Sequence, residues 1–499
     1  MSWRESAWRR WPQFLGFGVF LVGLWAQGDA LVGVFYDDGI YVVLAKALAT
    51  GEGYRNIHLP GSPPGVHYPF LYPAALSLLW RLWPSFPANV ALFQLLDSAA
   101  LAVAAWAIAL HARRLEWPAA VQYVALPAGF LAFPLLTVVG VRFSEPLFLA
   151  LWATSLLAVD RDDVTERHAL VAGLLAGLAT LTRTIGVAVI GGVVVALWVR
   201  RRRRPSITAA VAGGVVLLPW FAWLLAHPGA VDPRIASNYG TYLDAAGQAG
   251  ILGLLPGINL GVLGPLARLA LPAVPGAIWY PLAVLLFGVL LRGAVSAWRR
   301  VPAFALSLAF YVIVVALWPY ASDRFVWILA PWAALLGLGG GWLLWRRGAP
   351  ARWVVATLAV AVSAGYLPRE AVSLGGRGFV GAAEGISAPF RLLLPSITAE
   401  TPPETVVAVS DEALVYLYSG RRAVPSYLFR WQGRRTDPLT ADESVAYFCE
   451  NGVTHLALTG PGAAAGPTVR DLASAEESVL EPLFQVTSGP ALYRFSCSD

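Results

Sequence analysis

The chain contains few charged residues for its length. Asp, Glu, Lys and Arg make up 13% of its 499 residues, whereas soluble domains carry about 25%. Hydrophobic residues account for 57%, and the mean hydropathy is +0.62. This shortage of charge excludes an ordinary soluble domain and predicts a polytopic membrane protein, with the lipid bilayer as its surroundings.

Lysine is nearly absent, because Lys46 is the single lysine among 36 basic residues. The net charge of +6 does not indicate a nucleic-acid partner, since the arginines lie in short clusters between apolar runs. Such clusters are typical of cytoplasmic loops. Arg9 and Arg10 precede an apolar run that is too long for a signal peptide, so we expect a retained first helix with its N-terminus inside.

Cysteine is also scarce, with Cys449 and Cys497 as the two examples. Both fall in a segment that we expect outside the cytoplasm, where a disulfide persists. The sequence leaves open whether they pair, because it does not give the distance between them.

Long apolar runs are abundant, and eleven of them are candidates for membrane spans. The alternation of basic loops between them places the C-terminus outside. The candidates are 14–36, 89–111, 117–136, 144–159, 168–182, 184–199, 206–226, 277–291, 302–318, 325–345 and 353–367.

The runs divide the chain into a predicted transmembrane catalytic domain, 1–367, and a small extracytoplasmic domain, 368–499. The first has two long outer loops, 37–88 and 227–276, and an apolar stretch at 71–83 that predicts a helix in the membrane interface. In the second, short strands alternate with helices, which favours an α/β fold. The predicted strands are 406–410, 422–425 and 454–458, the helices are 411–418 and 442–451, and a hairpin covers 481–495.

Two adjacent acids, Asp37 and Asp38, follow the first apolar run. A carboxylate at the outer end of a membrane-spanning segment is energetically unfavourable, so its presence there indicates a functional site. The plainer interpretation is an N-cap, because the positive end of a helix dipole favours acids. Glu145, at the start of the fourth run, has the same two interpretations.

Basic and polar groups on the predicted outer side are candidates for binding a phosphate. The alternatives are headgroup contacts or, for Arg324, an ion pair with Asp323. Carboxylates beside cations suit the transfer of a sugar from a lipid-phosphate donor, with an acid as base and a cation at the leaving phosphate. The candidate phosphate ligands are Arg142, Arg183, Arg324, His67 and Tyr68.

The first outer loop resembles that of the GT-C glycosyltransferases, especially the protein O-mannosyltransferases and the aminoarabinose transferases. The similarity rests on the order of several short motifs along the membrane region up to about residue 345. They are Asp37-Asp38, Tyr41, Ala45, Gly51-x-Gly53-Tyr54, Tyr68-Pro69-x-Leu71-Tyr72-Pro73, Ser144-Glu145-Pro146-Leu147-Phe148, Leu181-Thr182-Arg183 and Asp323-Arg324-Phe325 followed by Pro331.

This resemblance implies a GT-C-like fold and an inverting transfer from a polyprenyl-phosphate-linked sugar, with the active site on the outer face of a bacterial cytoplasmic (inner) membrane. Asp37 would be the general base, while Asp38 and Glu145 would position the acceptor or tune that base. Arg324 and Arg183 would hold the donor phosphate. Relatives that use a monophosphate donor generally need no metal, so we expect no cofactor. The expected sugar pocket comprises Tyr41, Lys46 and Tyr239.

Two departures from the family pattern concern the same loop. The family pair is commonly Asp-Glu, but the second acid here is Asp38. The aminoarabinose transferases carry a lysine where this chain has Tyr68, and Phe70 replaces their second proline. These differences weaken lipid A as the acceptor and leave open a protein, a glycolipid or a polysaccharide.

Two other classes of function are compatible with a polytopic chain. A lipid-linked sugar flippase or a solute transporter would use the helices and a cavity acid, although transporters often show internal repeats and none is visible here. A non-catalytic assembly factor would use the C-terminal domain for binding, but it leaves the acid pair unexplained.

Overall fold

The computed structural model describes residues 3–241, 263–271, 276–317, 323–432, 435–460, 471–472, 478–487 and 489–497. The chain forms two compact units, each built from three separate stretches of sequence. The first unit comprises Met1–Gln27, Gln94–Trp220 and Gly257–Val380. The second unit comprises Gly28–Phe93, Phe221–Pro256 and Gly381–Asp499.

Helices dominate the described residues. Their bounds, in chain order, are α1 Trp3–Ala26, α2 Asp37–Thr50, α3 Leu71–Leu82, α4 Val90–Ala112, α5 Ala119–Phe130, α6 Phe133–Val139, α7 Glu145–Val159, α8 Glu166–Thr182, α9 Val187–Val199, α10 Arg203–Ala226, α11 Ala236–Tyr239, α12 Leu263–Arg268, α13 Gly276–Trp298, α14 Pro302–Leu317, α15 Asp323–Trp327, α16 Ala330–Trp345, α17 Ala349–Gly376, α18 Gly381–Glu400, α19 Glu412–Ser419 and α20 Ala441–Glu450.

Each of the eleven predicted spans contains a helix, and the predicted interfacial helix is α3. The first span differs most from its predicted bounds, 14–36. Helix α1 ends at Ala26, and the chain continues as a loop with a turn before Asp37. Gly28, Asp29 and Gly33 lie in that loop. Glycine and aspartate favour turns over helix interiors, so the apolar run does not remain helical to residue 36.

The chain is a polytopic, mainly helical membrane protein with a C-terminal sheet. The predicted count of eleven spans is not confirmed. Among the described residues, four helices are long and apolar enough to cross a membrane: Val90–Leu115, α10, α13 and α17. The bent pair α5 and α6, with an angle of 52° between them, makes a fifth candidate.

The first unit is a helical assembly with an apolar core. Helix α9 packs on α14, α7 on α8, and α16 on both α13 and α5. Trp152 donates a 3.0 Å hydrogen bond to the hydroxyl of Ser307 and stacks on Tyr311. Asp160 accepts hydrogen bonds from the backbone N–H groups of Ala303 and Phe304, which are otherwise unsatisfied at the start of α14. This buried acid therefore has a structural explanation.

The second unit contains a five-stranded sheet in the order β2-β1-β5-β7-β6. Strands β1, β2 and β5 are parallel, whereas β7 runs antiparallel to both β5 and β6. A separate antiparallel pair is formed by β3 and β4. The strands are β1 Val406–Val409, β2 Arg422–Pro425, β3 Phe429–Gln432, β4 Arg435–Pro438, β5 Val453–Leu458, β6 Ser478–Gln485 and β7 Ala491–Cys497.

The three predicted strands, the two predicted helices and the final hairpin are present in the C-terminal segment. The antiparallel pair β3 and β4 is not predicted from the sequence. Helix α20 begins with a capping box between Thr440 and Glu443. Cys449 on α20 and Cys497 on β7 form a disulfide with their Cα atoms 5.9 Å apart. The backbone N–H of Ala423 donates to the carbonyl oxygen of His58, which links the segment 28–93 to the edge of the sheet.

The predicted boundary after residue 367 falls inside α17, which continues to Gly376. The second unit joins the segments 28–93 and 221–256 to the C-terminal segment. The division into domains 1–367 and 368–499 stays a prediction.

Candidate active site

Asp37 lies at the start of α2, in a segment of the second unit that we call the acid turn, residues 31–39. Its carboxylate is half-buried, and Oδ1 accepts a 2.5 Å hydrogen bond from the hydroxyl of Tyr68. Tyr68 is itself buried. The side chain of Asp37 is therefore fixed in orientation while part of it remains accessible.

Asp38 has a different environment from its neighbour. It is fully buried, and its two oxygens accept hydrogen bonds from the backbone N–H groups of Gly33 at 2.6 Å and Phe35 at 3.0 Å. These bonds order the acid turn. The adjacent acids thus differ in accessibility, which the sequence alone did not decide.

Two glycines bring the acid turn against α19. Gly33 has a φ of +103°, and a Cβ there would lie 2.7 Å from the Cβ of Leu414. A Cβ on Gly39 would lie 3.0 Å from the Cβ of Ala413. Side chains larger than hydrogen would push the turn away from this helix, so glycine is required for the close approach.

Aromatic rings surround the Asp37–Tyr68 contact. Tyr41 packs edge-on against Tyr68 and Tyr72, with ring centroids 4.9 and 5.1 Å apart. Tyr54 donates a 2.8 Å hydrogen bond to the carbonyl oxygen of Tyr68. These contacts hold the phenol of Tyr68 in place.

His67 donates from Nδ1 to the carbonyl oxygen of Gly240 at 2.7 Å. Burial lowers the pKa of His67, although that hydrogen bond and the charge of Asp37 oppose the shift. The imidazole is therefore neutral at pH 7, and any phosphate contact it makes is a hydrogen bond and not a charge pair.

Lys46 lies on α2, with its ammonium 4.3 Å from the centre of the Tyr416 ring. This is a cation–π contact. Burial lowers the pKa of Lys46, and the nearby Glu52 opposes that shift. The structure places Lys46 and Tyr41 on the same helix as Asp37.

Tyr239 belongs to a buried polar cluster, which we define as Tyr36, His58, Tyr239 and Glu412. Its hydroxyl donates to Oε1 of Glu412 and lies 2.7 Å from Nε2 of His58. Its ring packs edge-on against Tyr36, with centroids 6.0 Å apart. The cluster joins all three chain segments of the second unit.

Burial determines the protonation of this cluster, which lies outside the membrane-spanning helices. It raises the pKa of Glu412 to about 7 and lowers that of His58 to about 3. The adjacent Asp411 also has a pKa raised to about 7 by burial, with a further contribution from the charge of Asp38. Burial and the charge of Glu412 raise the pKa of Tyr36 and Tyr239 well above 10.

Glu145 is the centre of a charged cluster in the first unit. Its Oε1 lies 2.8 Å from Nη1 of Arg183 and 2.8 Å from Nε of Arg324. Arg183 also donates to the hydroxyl of Ser144 at 3.2 Å. The start of α7 therefore bridges the end of α8 and the short helix α15.

The two arginines of this cluster differ in accessibility. The side chain of Arg183 is 6% exposed and that of Arg324 is 23% exposed. Each lies over an aromatic ring, Arg183 over Phe325 and Arg324 over Phe143. Arg142 is fully buried. Of the three predicted phosphate ligands in this unit, Arg324 is the accessible one.

An apolar cavity of about 360 Å³ also lies in the first unit. Helices α5, α12, α13, α16 and α17 contribute its walls, and Tyr366 supplies a hydroxyl at its edge, which donates to the carbonyl oxygen of Ala128. Such a lining accommodates a hydrocarbon chain.

The structure brings the predicted site residues together in two groups. Asp37, Asp38, Tyr41, His67 and Tyr68 lie in or beside the acid turn of the second unit. Lys46 lies farther along α2, against the ring of Tyr416, and Tyr239 lies in the buried polar cluster. Glu145, Arg183 and Arg324 form the cluster of the first unit.

Sequence reasoning missed three residues of the buried polar cluster: Tyr36, His58 and Glu412. A signal was present, because Asp411 and Glu412 form another acid pair, directly after a predicted strand and at the start of a helix. The carboxyl end of a parallel strand is a frequent position for functional residues.

No family model and no curated protein match this chain. Solved structures do match. ArnT from Cupriavidus metallidurans bound to undecaprenyl phosphate aligns over 98% of both chains, with a TM-score of 0.54 and 14% identity. The apo form of the same protein aligns over 98% of both chains, with a TM-score of 0.55 and 14% identity. An Archaeoglobus fulgidus oligosaccharyltransferase tethered to an acceptor peptide aligns over 98% of this chain and 74% of its own, with a TM-score of 0.52 and 12% identity.

The chain has the GT-C fold. Both ArnT and the archaeal oligosaccharyltransferase are glycosyltransferases of that fold, so the expectation drawn from the short motifs is confirmed at the level of fold. At 12–14% identity the likeness extends to architecture, and fold by itself does not assign a reaction.

Proposed function

We propose that this protein is a membrane glycosyltransferase that moves a sugar from a polyprenyl-phosphate-linked donor to an acceptor on the extracytoplasmic face. The observation that carries the proposal is the likeness, over 98% of both chains, to ArnT bound to undecaprenyl phosphate. The arginine clusters between apolar runs support the outward orientation of the site, in a bacterial inner membrane.

Asp37 is the proposed general base of an inverting transfer. Its half-buried carboxylate is held by Tyr68 in one orientation. A fixed carboxylate takes the proton from an acceptor hydroxyl or amine as that group attacks the sugar carbon. Asp38, with both oxygens on backbone N–H groups, is proposed to position Asp37 and not to take the proton.

Arg324 is the proposed ligand of the donor phosphate. A guanidinium held in place stabilises the charge that develops on the departing phosphate. Its Nε contacts Glu145, which also pairs with Arg183. Glu145 and Arg183 are therefore proposed to fix the orientation of Arg324, and the buried Arg142 to add positive charge to the same unit.

The remaining predicted site residues are proposed to bind the sugar or the phosphate through polar and ring contacts. Tyr68 and His67 offer hydrogen bonds, and Tyr41 and Lys46 lie along the same helix as the base. Tyr239 is buried with Glu412, so its proposed contribution to the sugar pocket is to its shape. The apolar cavity of the first unit is the proposed location of the polyprenyl chain.

Metal-independent transfer is part of the proposal. A monophosphate leaving group that is neutralised by arginine does not require a divalent cation. Addition of EDTA is expected to leave the rate of transfer unchanged. A loss of transferase activity on chelation would show that a metal takes part.

The decisive experiment uses the purified protein with a radiolabelled polyprenyl-phosphate sugar and mixed cell-envelope acceptors. We expect labelled product from the wild type and a loss of at least about 100-fold in Asp37→Asn, with unchanged yield in the membrane. Full activity of that variant would refute the assignment of Asp37. Movement of the lipid-linked sugar across liposomes without any product would favour a flippase.

A further inference from the structure

The residue before Asp37 has an unusual backbone conformation. Tyr36 has a φ of 66° and a ψ of −70° and directly precedes α2. A bulky side chain rarely occupies the region of positive φ, and such a residue persists where its surroundings hold it there. Asp37 is therefore attached to a backbone that other groups must restrain.

The restraint on the side chain of Tyr36 comes from the buried polar cluster. Its ring packs against the ring of Tyr239, with centroids 6.0 Å apart, and its hydroxyl is buried. Glu412 is fully buried and accepts a hydrogen bond from the hydroxyl of Tyr239. A buried carboxylate requires such a donor, so Glu412 holds Tyr239 in place and Tyr239 supports the ring of Tyr36.

The restraint on the backbone comes from the same C-terminal segment. The N–H of Leu31 donates to the hydroxyl of Ser387 at 2.9 Å, and that of Val32 donates to the hydroxyl of Tyr418 at 3.1 Å. Tyr418 lies on α19, the helix that begins with Glu412. The same helix supplies Leu414 against Gly33. Helix α19 thus contacts the acid turn at Val32 and at Gly33, and the cluster that contains its first residue, Glu412, includes Tyr36.

We propose that Glu412 is a positioning residue for Asp37 and acts through Tyr36. The C-terminal α/β segment would then contribute to catalysis, because its helix α19 fixes the backbone conformation of the turn that carries Asp37. This inference rests on the proposed role of Asp37 in glycosyl transfer. Glu412 itself touches neither substrate, and its effect is to hold the carboxylate of Asp37 against Tyr68.

The test is a double-mutant cycle with purified full-length protein, using Glu412→Ala and Tyr36→Ala, which removes the ring that packs on Tyr239, singly and together. We expect each single variant to lower kcat about tenfold or more, with KM for donor and acceptor unchanged within about twofold, because a misplaced base slows the chemical step and not binding. If Glu412 acts through Tyr36, the double variant is no slower than the slower single variant.

Two further variants separate positioning from a general loss of structure. Glu412→Gln keeps a hydrogen-bond acceptor of the same shape, so we expect it to retain most of kcat. Glu481→Ala removes an exposed glutamate on β6 that pairs with Arg494, and it serves as the control with unchanged kcat. A rise in KM at constant kcat, or losses that multiply in the double variant, would overturn the proposal.

Amide hydrogen exchange provides a readout that does not depend on activity. In Glu412→Ala and Tyr36→Ala we expect faster exchange across residues 32–40 than in the wild type and in Glu481→Ala. Unchanged exchange in that segment would overturn the assignment of Glu412, whatever the rate of transfer. Absence of transfer by the wild type would instead refute the proposed function.

Discussion

The hydroxyl of Tyr68 donates a 2.5 Å hydrogen bond to Oδ1 of Asp37, across 31 residues of sequence. The bond joins the first residue of α2 to the segment that leads into α3. It gives the half-buried carboxylate a single orientation. Tyr68, which the sequence predicts as a phosphate ligand, is thus in direct contact with the predicted base.

Removal of this hydrogen bond is expected to slow transfer by releasing the base from its fixed orientation. Tyr68→Phe keeps the ring that packs on Tyr41 and removes the donor to Asp37. We expect kcat to fall about tenfold, because the carboxylate is no longer held in the geometry for proton transfer. The acid limb of the pH–rate profile moves to higher pH, because the ionised carboxylate loses a favourable partner.

The measurement is kcat against pH for the wild type, Tyr68→Phe and Tyr493→Phe, which changes a tyrosine of β7 as a control. An unshifted acid limb in Tyr68→Phe would show that this bond does not tune the proton acceptor.

The two arginines around Glu145 are expected to respond differently to truncation. Arg324→Ala removes the accessible cation that is proposed to stabilise the departing phosphate, so we expect kcat/KM for the lipid-linked donor to fall about tenfold or more. Arg183→Ala withdraws one partner from a buried carboxylate, which typically destabilises a protein by about 3 kcal/mol. We therefore expect it to lower the thermal midpoint more than Arg324→Ala does.

Donor titrations and thermal unfolding in detergent check both expectations, with the exposed Arg347→Ala as the reference. A larger loss of stability in Arg324→Ala than in Arg183→Ala would contradict the division of roles between them.

Glu412 is expected to make the stability of the second unit depend on pH. Its pKa rises from 4.5 to about 7 on folding because of burial, so the folded state binds more protons than the unfolded state between these values. The stabilisation is complete below pH 4.5 and is lost as the pH rises through 7. The groups whose charges or hydrogen bonds act on Glu412 are Tyr36, Tyr239, Asp411 and Tyr447. His58 contacts Tyr239 of the same cluster.

Two of these groups also titrate near the relevant range. Asp411, with a pKa of about 7, adds a dependence of the same sign. Burial lowers the pKa of His58 to about 3, so this residue makes the folded protein less stable as the pH falls below 6.5. The pH dependence that it contributes has the opposite sign to that of the two acids. The difference between the wild type and Glu412→Gln isolates Glu412, because the other groups titrate in both proteins. Between about pH 5 and 6.5, Glu412→Gln should flatten the pH dependence of stability by almost one proton, and above about pH 8 the two proteins should have the same slope. An unaltered slope in the lower range would refute this origin.

Reduction of the Cys449–Cys497 disulfide is expected to destabilise the C-terminal part of the second unit. The bond closes a loop with a sequence separation of 48, and disulfides that close such loops contribute about 2–4 kcal/mol. Limited proteolysis with and without reductant should show earlier cleavage after residue 441. The double variant Cys449→Ser, Cys497→Ser should behave like the reduced wild type, and equal resistance would contradict the expectation.

Hydrophobic periodicity and length predicted most of the fold. Every candidate span contains a helix, and the α/β order of the last hundred residues follows from local signals such as Thr440 before α20 and Gly420 after α19. The end of α1 was missed, since an apolar run does not show where turn residues interrupt it. Whether Cys449 and Cys497 pair was undecided, because their separation in space depends on how α20 packs on β7.

The sequence by itself determined that this is a polytopic membrane protein, that its acids at 37 and 38 are unusual, and that its motifs follow a GT-C order. The tertiary structure decided which acid is buried on backbone N–H groups and which one meets Tyr68. It also decided that Glu412, hundreds of residues away, lies beside Tyr36. Contacts between distant segments depend on how helices and strands pack, and local sequence does not encode that packing in a readable form.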